Sequence, residues 1–341
     1  MISGSKVDKI GNLLKHQQAI NPADYRDLLD WRNSFSSILD YYHSKLRDKL
    51  DQNDVVTLSR RLKRIESIQI KLKRYPTMRL STLQDIAGLR VVVKDEQALQ
   101  AAFSRLRSLA SRHTLKRVDN YHSQPKADGY RGFHLIYQVG KEGKQVEIQL
   151  RTELEHIWAT AVEIYGELQE TSFKTGGGDK DWKVFFRLLS SYFAIKENSL
   201  PAEQDEKKSQ KKIQTQLKKM MKELNVIEKL NASTNGMQVI TRKHNRIGRT
   251  GRYAILEMDL LSKTTEVEFF NKKDVEKAIA TYTKKELEIR DSEKKNIVFV
   301  NVDNIDKIEA SYPNYFLNTK KLLEILAKIV LGQEDWLPQG R

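Results

Sequence analysis

Over residues 22–50 apolar side chains recur at intervals of three and four (Leu28, Trp31, Phe35, Ile38, Leu39), which predicts a helix opened near Pro22 and covering the core that follows. Trp31 and Tyr42 read as packing residues of that helix. After a polar break at 51–54, a second segment at helical spacing carries Ile65, Ile68 and Leu72. The rhythm then changes. In TLQDIAGLRVVV the run Val91, Val92, Val93 behind Gly88 predicts a buried strand with Asp85 at its mouth. Residues 95–111 return to helical spacing (Leu99, Ala102, Phe103, Leu106, Leu109) and predict a helix crossing back over the sheet. Leu115 to Ser123 reads as a strand. FHLIYQV and QVEIQLRT, joined by the short turn KEGK at 141–144, read as a hairpin. In the second of these, alternation puts Val146, Ile148 and Leu150 on one face and Glu147, Gln149 and Arg151 on the other, one for the core and one for chemistry.

Two apolar helices are predicted next, from Glu153 and, after the glycine-rich segment at 175–179, from Trp182; both are expected to bury against the sheet. Lysine dominates from Lys207, with Ile213, Leu217 and Met221 on one stripe, as in a charged connecting helix lying on other structure. Its lysines read either as a solvated face or as an RNA-backbone track. Beyond Asn235 a second unit is predicted: a hairpin around Ser262 and Lys263, a helix over 273–291, a short buried strand in NIVFVNV, and helical ends at 305–316 and 319–331. Residues 241–252, TRKHNRIGRTGR, read as an exposed basic loop for RNA or a domain interface. The expected fold class is α+β, a mixed β-sheet flanked by helices with a small α+β unit after it.

At 341 residues and 39% apolar content, two ordinary cores are expected. Sixty Lys and Arg against 45 Asp and Glu give a formal charge of +15, which predicts a polyanionic partner without choosing between nucleic acid and an anionic surface. The absence of cysteine excludes disulfides, thiolate zinc sites and Cys nucleophiles, so any metal is oxygen- or imidazole-bound. The first twenty residues lack the apolar core of a signal peptide, and no run of about 18 apolar residues offers a membrane span. The expectation is a cytoplasmic protein with no membrane association.

Chemistry concentrates between Arg60 and Trp158. The cations Arg61, Lys63, Arg64, Lys71, Lys73 and Arg74 precede Asp85, and Glu147 supplies a second carboxylate on a neighbouring strand. Carboxylates on adjacent strands also occur as plain cross-strand pairs with Lys or Arg, and a basic helix face is often only solvated. Together, though, cations, carboxylates and a metal held by them are what phosphoryl or pyrophosphoryl transfer needs, because the developing charge lies on phosphate oxygens. Tyr130, on the glycine loop QPKADGYRG, reads either as a turn residue at a core edge or as a platform for a base, the latter if the loop is flexible.

These residues resemble the RelA/SpoT-type nucleotide pyrophosphokinases. The family's motifs stand here, in order, as Arg61, Lys63, Ser67 and Ile68; Asp85, Gly88 and Arg90; Gly129, Tyr130, Arg131 and His134; Glu147 through Thr152; and His156 with Trp158. Gly132 and Phe133 stand where family members often carry Ser and Leu. The resemblance implies transfer of the β,γ-pyrophosphate of ATP to a ribose 3′-hydroxyl. It implies Arg61 and Arg90 around the adenine, Lys63, Ser67, Lys71 and Arg74 at the triphosphate, Asp85 and Glu147 as catalytic carboxylates, Asp85 holding Mg²⁺ and Glu147 taking the 3′-hydroxyl proton or sharing the metal, and Tyr130 stacked on the acceptor base. Lys126, His134, Gln149 and Arg151 would fix the acceptor's ribose and phosphates.

The domain division that follows is a helical cap at 1–50, a synthetase domain at 51–199, a connecting helix at 200–232 and a regulatory unit at 233–341. That last unit resembles the cysteine-less pseudo-zinc-finger antitoxin of CapRel-type fused toxin–antitoxin synthetases, whose Y-x-x-Y motif matches Tyr312 and Tyr315. The likeness implies autoinhibition by those tyrosines, tRNA as acceptor at its CCA end, and a phage structural protein as trigger in anti-phage defence. GDP, GTP or an adenosine nucleotide, giving an alarmone, is the alternative acceptor. On the residues alone, SYPNYF also reads as a turn set by Pro313 whose tyrosines fill the small unit's own core.

Overall fold

Three helices precede the first strand in the computed structural model, which describes residues 2–109, 113–140, 143–168, 180–235, 237–243, 253–289, 292, 294–301 and 308–333. Ser3 caps α1 (Gly4–Lys15) by accepting the Lys6 N–H at 3.3 Å. Asn21 caps α2 (Pro22–Asn33) by accepting the Asp24 N–H at 2.8 Å, with Pro22 in the first turn, where its missing N–H is not needed. The single helix expected over 22–50 is two, because the chain breaks at Ser34 and Phe35 and resumes as α3 (Ser36–Lys49). The Ser34 hydroxyl donates to the Trp31 carbonyl at 2.6 Å, a local bond that competes with helix continuation. Trp31 and Tyr42 are buried packing residues, as expected.

The basic segment expected to be wholly helical begins as a strand, β1 (Val55–Leu62), and α4 (Ile65–Arg74) starts only after Arg64. Val55, Val56 and Thr57 give β1 a β-branched start. It pairs antiparallel with β2 (Ala87–Val93), Arg61 lying opposite Gly88. After α5 (Glu96–Arg107) come β3 (His113–Asn120), β4 (Phe133–Val139) and β5 (Lys144–Thr152); β4 and β5 form the expected hairpin, and β5 runs parallel to β2. Residues 141 and 142 of its turn lie outside the described residues, as does 175–179 between α6 (Glu153–Leu168) and α7 (Lys180–Lys196). α7 packs mainly on α6 and on α8 (Gln210–Glu223) rather than on the sheet. It is apolar around most of its circumference, so it is buried within a helical layer. α8 turns Ile213, Leu217 and Met221 inward, and α9 (Val226–Asn235) follows.

Next come β6 (Gln238–Lys243), the β7 (Tyr253–Asp259) and β8 (Thr264–Phe270) hairpin, α10 (Val275–Glu288), β9 (Lys295–Asn301), α11 (Ile308–Ser311) and α12 (Lys320–Leu331). The loop expected at 241–252 starts as the end of β6, and 244–252 lie outside the described residues. All nine strands form one mixed sheet in the order β3-β4-β5-β2-β1-β9-β7-β8-β6. Its seam is narrow: Arg60 faces Asn301 and Arg61 faces Val300. The later strands thus extend the first sheet, and the boundary expected at 232–233 falls inside α9. α12 returns to bury Leu322, Ile325, Leu326 and Ile329 in the layer of α6 to α9. Across the seam, fully buried Arg32 on α2 meets Glu286 on α10 at 2.8 Å. No helix among the described residues is long and apolar enough to cross a membrane.

The two faces of the sheet differ in kind. Leu89, Val91, Val93, Val146, Ile148 and Leu150 lie in a dry core with α1 to α5. Alternation therefore turns the intervening polar residues of β1, β2, β4 and β5 to the opposite face.

Candidate active site

Register assembles that opposite face. Arg90 lies opposite Ser59 on one side and Gln149 on the other, Gly88 lies between Arg61 and Glu147, and His134 lies opposite Gln149. Residues paired across strands share a face, so Arg61, Arg90, Glu147, Gln149 and His134 form one polar floor. Gly88 presents no side chain there and leaves open the space between Arg61 and Glu147.

Two lysines reach this floor from its end. Lys63, just after β1, and Lys71 on α4 both place their ammonium nitrogens 2.9 Å from Asp85 Oδ2. Burial pushes Asp85 up, and Glu147 adds to that push, but the two ammoniums outweigh both and hold the carboxyl below its ordinary range. Burial in turn lowers Lys63 from its ordinary value. Glu147 receives a hydrogen bond from Gln149 at 2.8 Å and meets His134 Nδ1 at 3.0 Å. Burial would raise it, yet these partners bring it down to about 2, so it is ionised at neutral pH. Arg90 is pulled to about 10 by burial and by the charges of Arg151 and Arg61.

Asp85 Oδ1 is buried and has no hydrogen-bond partner among the described residues. A buried carboxylate oxygen left over from two ion pairs suits a divalent cation, which takes oxygen donors and completes its shell with phosphates and water. Among the described residues no cluster of three or more His, Asp or Glu stands close enough to form a metal cage. Asp85 Oδ1 and the Glu147 carboxylate are the oxygens here that could hold such an ion.

The glycine loop is pinned, contrary to the flexible loop expected. Gly129 has φ of +94°, and a Cβ there would stand 3.1 Å from the Arg187 backbone, so only glycine lets the loop meet α7 this closely. The Ser190 hydroxyl donates to its carbonyl at 2.5 Å. Tyr130 is consequently fixed: Arg151 donates to its hydroxyl at 2.7 Å, and His134 Nε2 lies 2.5 Å from it. Lys126 sits over the rings of Tyr121 and Tyr130, at 4.3 and 4.8 Å from their centroids.

Of the remaining residues expected here, Ser67 lies half-buried on α4, one turn before Lys71. Arg74 is exposed at the end of that helix, beside Tyr75, and does not join the carboxylates. Both tyrosines of SYPNYF are buried in one core with β7, β8 and β9, and they differ in that Tyr312 also reaches the site. Tyr312 lines the site together with Arg61, Lys63, Asp85, Arg90 and Glu147, around a cavity of only about 70 Å³. Its hydroxyl donates to the Arg60 carbonyl at 2.9 Å and accepts the Arg60 N–H at 3.2 Å. Tyr315 is buried in the core on that face of β7, β8 and β9, its carbonyl accepting from Thr265 at 2.5 Å. Among the described residues neither tyrosine makes a cation–π contact with Arg61 or Arg90, and Asn314 is a wall residue the sequence did not suggest.

Sequence reasoning also missed the support behind the loop. His122 bridges Glu155 at 2.8 Å and Glu96 at 2.9 Å, and Arg131 donates to the His122 carbonyl at 2.6 Å and to Ser199 at 2.7 Å. Burial would lower His122, but the two carboxylates lift it to about 9. Nearby Glu197 is pushed up to about 8 by burial and by Glu155. His122 lies in the turn after β3, beyond the reach of strand alternation, so the sequence pattern carried no signal for it.

Residues 60–168 match the family model described as the region found in RelA / SpoT proteins. This segment is similar to that region of RelA / SpoT proteins. Relatives of this segment include a GTP pyrophosphokinase of Haemophilus influenzae, 29% identical over 40% of this chain and 19% of the relative. Another is the GTP pyrophosphokinase YjbM of Bacillus subtilis, 32% identical over 32% of this chain and 56% of the relative. The chain thus spans less than two thirds of either. Among solved structures, the small alarmone synthetase 1 of Bacillus subtilis bound to its product pppGpp is 22% identical, covering 50% of this chain and 93% of that one at a TM-score of 0.44.

Proposed function

We propose that the chain is an ATP-dependent pyrophosphokinase that makes an alarmone, moving the β,γ-pyrophosphate of ATP to the 3′-hydroxyl of a guanosine nucleotide. The observation that carries this reading is the shared floor: ionised Asp85 and Glu147 face Lys63 and Lys71, with Arg61 and Arg90 on one side and Tyr130, His134, Gln149 and Arg151 on the other. The names of the relatives support the guanosine acceptor.

Arg61 and Arg90 hold the adenine, and Lys63 and Lys71 turn from Asp85 toward the triphosphate. Mg²⁺, held by Asp85 Oδ1 and Glu147, would neutralise charge on the phosphate oxygens. The ribose 3′-oxygen bonds to the β-phosphorus, the bond from that phosphorus to the α,β-bridging oxygen breaks, and AMP leaves with the electron pair. At a pKa of about 2 Glu147 is a weak base. It orients the attacking hydroxyl and takes up its proton as the bond to phosphorus forms, while His134 Nδ1 holds the carboxylate in place. Tyr130, fixed by Arg151, carries the acceptor base.

With Tyr312 on the wall, the cavity of about 70 Å³ is too small for a nucleotide. The docked 308–317 segment is therefore a closed, autoinhibited state. The exposed lysines of α8 favour a second reading, tRNA as acceptor, in line with the CapRel-type resemblance and its phage trigger. Incubation with γ-labelled ATP and, separately, GDP, GTP and bulk tRNA decides between them. Label in guanosine nucleotides supports the proposal, label in tRNA supports the second reading, and label in neither overturns both.

A further inference from the structure

A larger cavity lies on the other side of Tyr312. It measures about 370 Å³ and is enclosed by β1, one face of α6 and the segment from Pro313 to Glu324. Thr57, Ser59 and Arg61 are two apart on β1 and share a face; Ser59 and Arg61 line the nucleotide pocket, whereas Thr57 lines this cavity. The wall between them is shared in the same way, Pro313 turned to one side and Tyr312 and Asn314 to the other.

The lining has a definite chemistry. Of its charged members, Glu309, Lys320, Lys321 and Glu324 are exposed at the mouth, and half-buried Glu153 pairs with Lys321. The deep part is Thr57, His156, Thr160, Ala161 and Leu322, all buried. Thr57 is 6% exposed, and its hydroxyl has no hydrogen-bond partner among the described residues. A buried hydroxyl without a partner is costly unless something else supplies one. Among the described residues no Lys, Arg, Asp or Glu lines that deep part, so a charge carried into it would lose hydration with little compensation. A volume of this size falls in the range of small-molecule pockets, roughly 300–1,000 Å³.

We propose that this cavity is a second ligand site, taking a flat uncharged heterocycle that bonds Thr57 along one polar edge and packs against Ala161 and Leu322. Such a ligand touches β1 and α6 on one side and the 313–322 segment on the other, so it binds only while that segment is docked. It stabilises the docked arrangement. Its regulatory sense, inhibition, rests on the reading of that arrangement as closed to nucleotide.

The test uses the full chain and indole-3-carboxamide as probe, followed by saturation-transfer NMR, with Thr57→Val and Ile157→Trp as variants. The parent is expected to bind the probe. Thr57→Val, which keeps the shape and removes only the hydroxyl, should bind it roughly threefold to tenfold more weakly. Ile157→Trp, which fills the mouth, should not bind it. Indole-3-carboxylate should bind about tenfold more weakly than the amide. No binding by the parent, equal binding by both variants, or equal binding of the acid would overturn the site. The amide should also slow pyrophosphate transfer to GDP by the parent and less so by Thr57→Val. Variant-sensitive binding that leaves turnover unchanged would keep the site and overturn the closed-state reading, so the two failures are distinct.

Discussion

The Tyr312 hydroxyl and the Arg60 backbone form a two-way bond across 252 residues of chain, donating to the carbonyl at 2.9 Å and accepting the N–H at 3.2 Å. Arg61, the next residue, lines the proposed nucleotide pocket. Tyr312→Phe keeps the ring and removes both bonds, each worth about 0.5–1.5 kcal/mol. The docked segment should loosen without unfolding, and KM for ATP should fall several-fold at an unchanged far-UV spectrum. An unaltered KM in a folded variant would show that this contact does not gate the site.

Glu147→Gln keeps the shape of the carboxylate but removes its charge and one acceptor oxygen facing His134 Nδ1. Loss of a group that orients a nucleophile and shares its proton typically lowers kcat by about 10²–10⁴. ATP binding, measured without acceptor, should change much less. Equal losses in both would assign Glu147 to ATP binding instead.

Tyr130 separates ring from hydroxyl. Tyr130→Ala should weaken acceptor binding by about 1–3 kcal/mol, the scale of a lost stacking partner. Tyr130→Phe, which loses only the bonds to Arg151 and His134, should retain most of the affinity. If the Phe variant is as weak as the Ala variant, the hydroxyl network rather than the ring serves the acceptor.

The sheet explains which of these residues could be read from the sequence. Alternation in QVEIQLRT made β5 legible, and with it the grouping of Glu147, Gln149 and Arg151. β1 was hidden because its arginines run into the cations of α4, and a basic run shows no apolar period. The break at Ser34 depended on one hydroxyl bond, and the joining of both halves into one sheet depended on two residue pairs at Arg60 and Arg61. Neither leaves a periodic trace. The support from His122, Glu96, Glu155 and Arg131 is contributed by three separate segments that only the fold brings together.

Glu197 gives the stability a pH signature. Its carboxyl, raised to about 8 in the fold from an ordinary 4.5, keeps a proton that the unfolded chain releases. Stability should therefore fall as pH rises from about 4.5 to 8. Glu197→Gln does not titrate, so its melting temperature should drop less between pH 5 and pH 8 than the parent's. His122, raised from 6.5 to about 9, contributes a separate loss as pH rises through that window, which the variant should retain. Parallel profiles for parent and variant would contradict the assignment to Glu197.

The most direct measurement of the central claim is the fate of ATP during turnover with GDP. Pyrophosphoryl transfer predicts AMP and a guanosine nucleotide heavier by two phosphates, formed in equal amounts, with both products lost in Glu147→Gln. ADP as the product of ATP, or AMP released without any pyrophosphorylated acceptor, would contradict it.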